Sequence, residues 1–294
     1  FLALSTVVTG KPVRLALSRS DSMATSTKRH PGKITVKGGV TNDGRVTAMQ
    51  FDGDFNTGAY ASWGPTVANR VPLHASGPYR IPNYRAHSKA IYTHCPPAGA
   101  FRGFGVPQSA IAQEALFDDL AKAVGMDALD FRVLNALENG VPTVSGQVFE
   151  QGVGIKACLE ALRDAWESEK AECTSFNAGS KHLKRGVGVA GGWYGCGNTS
   201  LANPSTIKCG LSRDGTLVLH QGAMDIGQGA NTVITQIFAQ AFGVDVADVE
   251  IVGPDTDITP DAGKTSASRQ TFISGNAARL SGESLRRQVL ALVN

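Results

Sequence analysis

The stretch "PDAGKTSASRQTFISG", Pro260 to Gly275, decides between two kinds of fold. Gly263-Lys264-Thr265 has the wording of the end of a phosphate-binding P-loop, G-x-x-x-x-G-K-[ST], which joins a strand to a helix in nucleotide hydrolases. The leading glycine of that loop would fall at position 258, and the residue there is Ile258. Pro260 has no N–H to offer a phosphate, and Asp261 would repel one. After Lys264 comes a dense run of small donors with one guanidinium: Thr265, Ser266, Ser268, Arg269, Gln270 and Thr271. Such a run suits a phosphate that is held rather than cleaved. A polar turn ahead of a helix has the same composition, and this segment alone leaves both readings open.

Two further segments combine glycine, an amide or guanidinium, and a helix start. In "AGAFRGFGVPQ" (98–108), Arg102 lies between Phe101 and Gly103, just before a helix opened by Pro107. In "QGAMDIGQGANT" (221–232), Gln228 lies between two glycines at a helix start. A helix N-terminus offers unpaired N–H groups and a partial positive charge, and so receives anionic oxygens. Each patch alone also fits a capped helix. Together they fit a large ligand with an anionic group and several acceptors, such as a dinucleotide-like cofactor.

Outward from these patches the chain reads as mixed α+β. Alternation predicts a strand over 11–19. A hairpin is predicted over 32–60, turning at Asn42-Asp43-Gly44. More strand is expected over 79–94. Helices are expected over 107–125 and 126–140, the second with Asp127 as N-cap and Gly140 as stop. The glycine-rich turn 143–154 is the candidate domain boundary. A helix follows over 154–171, then strands over 184–195 and 205–224, the latter turning at Asp214-Gly215. A helix over 231–243 and a strand over 248–257 lead into the opening stretch, and the amphipathic "GESLRRQVLALVN" (282–294) closes the chain. No internal repeat shows at a 20–50-residue period.

Composition excludes several classes. The 294 residues are 42% hydrophobic and 18% charged, which describes a globular chain with ample core. A net charge of +3 argues for neither nucleic acid nor an anionic membrane surface. Lys28-Arg29-His30, followed by Pro31-Gly32, reads as a solvated turn. The 34 glycines cluster around the three patches and in "RGVGVAGGWYGCG" (185–197), where a backbone can approach a ligand closely. The five cysteines have no CxxC spacing, so no zinc or cluster signature is present, and their odd count fits a reducing compartment. No apolar run is long enough to span a bilayer, and no signal peptide is expected from these residues. "GCGNTS" (195–200) lacks the third glycine of a Rossmann fingerprint. No G-x-S-x-G elbow or H-E-x-x-H pair occurs. His74, His94 and His220 are isolated and read as packed residues rather than ligands. The opening and closing segments read as interrupted elements, so the chain is expected to be an internal piece of a longer polypeptide.

The three patches, in this order and spacing, resemble the molybdenum hydroxylases of the xanthine oxidase family. "AFRGFGVPQSAIAQEALFDDLAKAVGMDALDFRVLNAL" is similar to that family's A-[FY]-R-G-[FY]-G-x-P-Q segment, "DIGQGANTVITQI" to its G-Q-G loop and helix, and "DAGKTSASRQTFISGNA" to its pterin-phosphate loop. "SGQVFEQG" stands where the family carries a T-G-Q turn. The wording of "GGWYGCGNTSLANPSTI" and "HQGAMDIGQGANTVITQI" looks closest to the bacterial aldehyde oxidoreductases of this family. The resemblance runs across nearly the whole chain. It implies the α+β fold of the molybdopterin-binding domains, with the C-terminal portion of a first domain over 1–145 and the N-terminal portion of a second over 146–294.

What the resemblance implies about function is specific. The cofactor would be molybdenum-molybdopterin cytosine dinucleotide, with [2Fe–2S] clusters elsewhere in the parent protein. The reaction would convert an aldehyde to a carboxylic acid with water as oxygen source, electrons leaving through the clusters to an electron-acceptor protein. Ala100, Phe101, Arg102 and Gly103 would lie beneath the metal ligands and pterin, and Phe104 would wall the substrate funnel. Gly227, Gln228 and Gly229 would approach the pterin. Thr265, Ser266, Ala267, Ser268, Arg269 and Gln270 would hold the pyrophosphate. Xanthine or another N-heterocycle is the rival substrate class, and the aromatics of "GGWYGCGN" lean toward aldehydes. A non-catalytic ligand-binding subunit is the rival of a different class. Location would be cytoplasmic, with no nucleic acid or membrane partner, and a homodimer is allowed. The family's G-x-G-E catalytic segment and its upstream G-G-x-F-G motif do not occur in these residues, so no catalytic residue or metal ligand is assigned.

Overall fold

The computed structural model describes residues 1–197 and 202–293. It divides into two compact units, Phe1–Tyr194 and Gly195–Asn294. Helices α1 (Leu2–Thr9) and α2 (Arg19–Thr25) open the first unit. Ser18 caps α2 in a capping box with Asp21.

The sheet of the first unit has the order β1-β2-β3. Strands β1 (Gly32–Val40) and β2 (Val46–Gly58) form the hairpin expected from the sequence, with Gly32 opposite Phe55. Its turn is closed by Thr41 N–H to the Arg45 carbonyl at 2.9 Å and by a contact of the Thr41 hydroxyl with Asp43, and Gly44 supplies φ 86°. Helix α3 (Gly64–His74) then crosses over, and β3 (Asn83–Tyr92) runs parallel to β2. Helix α4 (Val106–Ala123) buries Val106, Ser109, Gln113, Glu114, Phe117, Leu120 and Ala121, spacings of three and four that make one face. Phe117 meets Tyr79 at 4.5 Å and Phe131 at 5.4 Å between ring centres, over a core containing Phe51, Phe55 and Val71.

Helix α5 (Ala128–Asn135) starts on Asp127, whose carboxylate accepts from the Leu129 and Asp130 amides. That carboxylate also accepts from Trp166 Nε1 at 3.0 Å and Lys170 Nζ at 2.7 Å, which ties α5 to α7 (Arg163–Gly179). Helix α6 (Ile155–Glu160) precedes α7. Arg132 of α5 is fully buried. It donates to Glu114 Oε2 at 2.7 Å and Asp118 Oδ1 at 2.8 Å, and Tyr79 Oη donates to Glu114 Oε1 at 2.8 Å. The buried Glu114 carboxylate thus meets donors on both oxygens, from Arg132 and Tyr79.

The second unit repeats this plan. Its sheet has the order β4-β5-β6, with β4 (Ile207–Leu211) and β5 (Leu217–Gln221) antiparallel. Helix α8 (Ala230–Phe242) crosses to β6 (Val249–Val252), which is parallel to β5. A long helix, α9 (Gln270–Val293), then follows, as α4 does in the first unit. The hairpin turns match bond for bond: Ser212 N–H donates to the Thr216 carbonyl at 2.9 Å, and the Ser212 hydroxyl contacts Asp214. Gly275 and Gly282 let α9 close on α8, since a Cβ at Gly282 would lie 2.9 Å from the Phe238 carbonyl oxygen. This likeness has a period far longer than the 20–50 residues over which the sequence shows no repeat.

Four local expectations are corrected. Residues 11–18 form no strand: Val13, Leu15 and Leu17 are exposed, and alternation without a neighbouring strand makes no ladder. Residues 184–195 form none either, because the Arg185 backbone is taken by the Asn177 side chain, at 2.8 Å to its N–H and 2.9 Å to its carbonyl. Lys28-Arg29-His30 is not a solvated turn. His30 is buried, and Lys28 Nζ donates to the carbonyls of Ser22 at 2.5 Å and Ser26 at 2.8 Å. The helix expected over 154–171 is broken into α6 and α7 at Ala161-Leu162. Within "GCGNTS" and the longer stretch containing it, residues 198–201 lie outside those described.

Candidate cofactor site

Parallel pairing places the loops. Because β2 and β3 run the same way, the loops leaving their carboxyl ends, 59–63 and 93–105, emerge from one edge of the sheet. The loops after β5 and β6, 222–229 and 253–269, do the same in the second unit. Carboxyl ends of parallel strands are where open α/β sheets gather ligands. All the sequence-predicted site residues fall on these loops or the helix starts that follow them. The patches ending at α4 and at α9 occupy the same place in their respective units.

In the first unit, Gly103, Phe104 and Gly105 take successive positive φ values of 84°, 48° and 99°. A phenylalanine in that region is strained by about 1–3 kcal/mol, and such strain gathers where a ligand is met. The turn is held by Phe104 N–H to the Phe101 carbonyl at 2.8 Å and Val106 N–H to the Gly103 carbonyl at 3.0 Å. Phe104 meets the ring of Trp63 edge-on at 6.0 Å, so loops 59–63 and 93–105 share an aromatic pair. Ser62 beside it also has positive φ, 42°. Sequence reasoning missed Ser62 and Trp63. The available signal was that "GAYASWG" follows β2 as "GAMDIGQG" follows β5.

Arg102 is exposed, and its guanidinium has no partner among the described residues. Arg29 holds the loop from behind. Its Nη2 donates to the Arg102 carbonyl at 2.6 Å, and its guanidinium carbon lies 4.7 Å from the centre of the Phe101 ring. Burial pushes its pKa below the ordinary value, yet a guanidinium remains charged at any working pH.

In the second unit, patches 221–232 and 264–275 are brought together. Thr265 Oγ1 donates to the Met224 carbonyl at 3.0 Å and accepts from the Met224 N–H at 3.1 Å. Gly227 (φ 100°) and Gly229 (φ 79°) adopt the turn that only glycine takes freely. Gln228 spends its amide on the turn itself, accepting from Ile226 N–H at 2.6 Å and donating to the Met224 carbonyl at 3.1 Å. Asp225 organises the same turn and was not singled out from sequence. The Gly227 and Asn231 amides donate to its carboxylate and hold its pKa below the usual range. An aspartate two residues before a glycine at a helix start is the signal for it.

Arg269 and Gln270 face inward rather than toward solvent. Arg269 is buried and donates to the carbonyls of Ala262 at 2.6 Å, Lys264 at 3.0 Å and Pro204 at 2.6 Å, and to Asn203 Oδ1 at 3.3 Å. Gln270 Nε2 donates to the Lys264 carbonyl at 3.1 Å. With the loop carbonyls gathered inward, the N–H groups of Thr265, Ser266, Ala267, Ser268, Gln270, Thr271 and Phe272 have no acceptor among the described residues. Ala267 (φ 54°) and Ser268 (φ 55°) are two consecutive left-handed residues ahead of a 24-residue helix. Unpaired amides, two serine hydroxyls and a helix N-terminus together fit a phosphate group. The P-loop alternative fails on geometry, because the helix begins at Gln270 and not at Lys264.

Trp193 and Tyr194 pack on His74 within the first unit. Trp193 Nε1 donates to the His74 carbonyl at 3.2 Å, and the Tyr194 ring lies 5.7 Å from that of His74. Among the described residues no cluster of His, Cys, Asp and Glu could hold a metal ion directly, and no helix is long and apolar enough to cross a membrane.

Residues 1–136 and 160–294 each match a family described as "Molybdopterin cofactor-binding domain". The chain is 35% identical over 298 residues to the putative xanthine dehydrogenase molybdenum-binding subunit XdhA of Escherichia coli K12, covering 98% of this chain and 38% of that one. It is 48% identical over 162 residues to the nicotinate dehydrogenase large molybdopterin subunit of Eubacterium barkeri, covering 55% and 38%. The solved aldehyde oxidoreductase from Desulfovibrio gigas superposes with a TM-score of 0.86 at 32% identity, over 96% of this chain and 31% of that one. The chain thus spans about a third of the length of these relatives. It belongs to the molybdopterin-binding domains of the xanthine oxidase family.

Proposed function

We propose that the chain is the cofactor-holding part of a molybdenum hydroxylase. The observation that carries this is the loop ahead of α9, where a buried Arg269 gathers carbonyls and seven amides have no acceptor among the described residues. Thr265 to Ser268 and the first amides of α9 would hold the phosphates of a pterin dinucleotide, with Arg269 and Gln270 shaping that loop from inside. Gly227 and Gly229 would give close backbone approach, and Gln228 would stiffen their turn. In the first unit, Ala100 to Gly103 would face the cofactor, with the Arg102 fork, unpaired among the described residues, available to an anionic oxygen. Phe104, backed by Trp63, would orient a flat substrate at small entropic cost.

When bound, the molybdenum centre supplies the site of oxygen insertion and two-electron acceptance. The overall change is RCHO + H2O → RCOOH + 2H⁺ + 2e⁻, with electrons passing to [2Fe–2S] clusters and an acceptor protein outside these residues. The cytosine dinucleotide form, the cytoplasmic location, the homodimer and the boundary between cofactor-binding domains at 145/146 belong to the same proposal. That boundary falls in the 137–159 interval between the two matched regions.

An aldehyde is the first substrate reading, on the likeness to the aldehyde oxidoreductase. An aromatic N-heterocycle is the second, and the identity to xanthine and nicotinate dehydrogenase subunits favours it. Trp193 and Tyr194 contact His74 and carry no argument between the two classes. Two assays test the proposal on the full-length protein containing these residues. Acid hydrolysis should release CMP. Oxidation of benzaldehyde, xanthine and nicotinate should then show one class strongly preferred. No CMP together with no turnover would leave a non-catalytic binding subunit instead.

A further inference from the structure

The segment 27–31, ahead of β1, lies under the 98–104 loop. Ala98 and Lys28 form a parallel bridge, and Gly99 N–H donates to the Lys28 carbonyl at 3.0 Å. A Cβ on Gly99 would stand 2.8 Å from Thr27 Cβ, so the two backbones meet there without room for a side chain. Gln108, at the start of α4, donates to the His30 carbonyl at 3.1 Å. The loop is therefore fixed at both ends by one short segment, and Arg29 is the side chain of that segment that reaches its middle.

Arg29 makes three contacts there. Nη2 reaches the Arg102 carbonyl at 2.6 Å, Nη1 lies 3.5 Å from Gln108 Oε1, and the guanidinium lies over the Phe101 ring. Fixing the Arg102 carbonyl fixes the peptide plane between Arg102 and Gly103. That plane sets the entry into three consecutive left-handed residues, one of them Phe104. Among the described residues no carboxylate pairs with Arg29 or Arg102, so a second cation stands beside the unpaired one. A lysine would keep the charge but lose the planar fork that both stacks and donates.

We propose that Arg29 is a positioning residue for the 101–105 loop, presenting the Arg102 fork and the Phe104 ring to the cofactor and substrate in one conformation. The consequence for the cofactor rests on the functional reading above, while the clamp itself does not.

The test uses Arg29→Ala and Arg29→Lys in the full-length protein, with hydrogen exchange at the Phe104 and Val106 amides as the first readout. Arg29→Ala should speed exchange there at least about tenfold, with the amides of β2 and β3 unchanged. Millimolar guanidinium should restore protection in Arg29→Ala, and Arg29→Lys should exchange faster than the parent. Molybdenum per chain should fall in Arg29→Ala alongside the faster exchange. Unchanged exchange in both variants would overturn the proposal. So would exchange that rises equally across β2 and β3, since Arg29 would then support the unit generally. Faster loop exchange with undiminished molybdenum would overturn the link to the cofactor. If Arg29→Ala does not fold, Arg29→Lys decides. A parent protein without molybdenum would defeat the functional reading alone, and the exchange comparison would still decide the clamp.

Discussion

Arg269 Nη1 donates to the carbonyl oxygen of Ala262 at 2.6 Å, inside the loop whose amides are proposed to hold a phosphate. On that proposal the guanidinium shapes the site from within. Truncation to alanine removes four hydrogen bonds and takes the Arg269 donor from the carbonyls of Ala262 and Pro204, while the Lys264 carbonyl keeps Gln270 Nε2. Arg269→Ala should destabilise the protein by about 3 kcal/mol or more in urea unfolding. It should also lower molybdenum retention while far-UV circular dichroism keeps the helix content. Molybdenum held at the parent level would show that the loop keeps its shape without Arg269.

The pair Arg132–Glu114 makes a different kind of prediction. Glu114→Ala leaves a buried guanidinium with only the half-exposed Asp118 carboxylate and two backbone carbonyls. The expected cost is about 3–5 kcal/mol. The double change Arg132→Met with Glu114→Leu should cost less than Glu114→Ala alone, because no charge is left buried. Denaturant melts of the three variants decide this.

Stability should fall as pH drops from neutrality toward 5. Burial pushes the His74 and His30 pKa values down, although the Arg70 carbonyl partly offsets this at His74. The unfolded chain then binds more protons than the folded one below the ordinary histidine pKa of about 6.5. Stability is complete above that value and is lost as pH falls toward the folded pKa. His74→Gln and His30→Gln should each flatten the slope of Tm between pH 7.5 and 5.5. An unchanged slope in both would place the pH dependence elsewhere.

Asp127 governs a second window. Burial opposes its ionisation, but Lys170, Trp166 and the Leu129 and Asp130 amides outweigh this and hold the pKa below the usual range. Its contribution is present above the ordinary aspartate value of about 3.9 and is lost as pH falls through the lowered one. Asp127→Ala should cost about 1–2 kcal/mol at neutral pH as a lost N-cap, measured by urea melts.

How much of this was legible in sequence follows from the range of each interaction. Asp127 as a cap, the Asn42-Asp43-Gly44 turn and the faces of α4 and α8 rest on neighbours within a few residues, and the sequence carries them directly. The three glycine-flanked patches were legible as left-handed turns ahead of helices, because positive φ and helix starts are written locally. The direction in which Arg269 points was not, since its partners Pro204 and Asn203 lie more than sixty residues away. Arg29 was hidden for the same reason: its partners Phe101, Arg102 and Gln108 are over seventy residues on. The false strands at 11–19 and 184–195 have strand-like wording, but strand identity depends on a distant partner that these segments lack.

A protein made of only these 294 residues should oxidise no aldehyde. The G-x-G-E segment that resemblance identifies with the catalytic base does not occur in them. Turnover of benzaldehyde by the purified, cofactor-loaded chain would contradict this.

The most direct measurement is molybdenum content, by elemental analysis of the full-length protein purified from its native source. The account predicts roughly one molybdenum per chain, as a resident cofactor requires, falling in Arg269→Ala. A fully folded protein without molybdenum would contradict the cofactor reading and return the unpaired amides ahead of α9 to the role of an ordinary helix start.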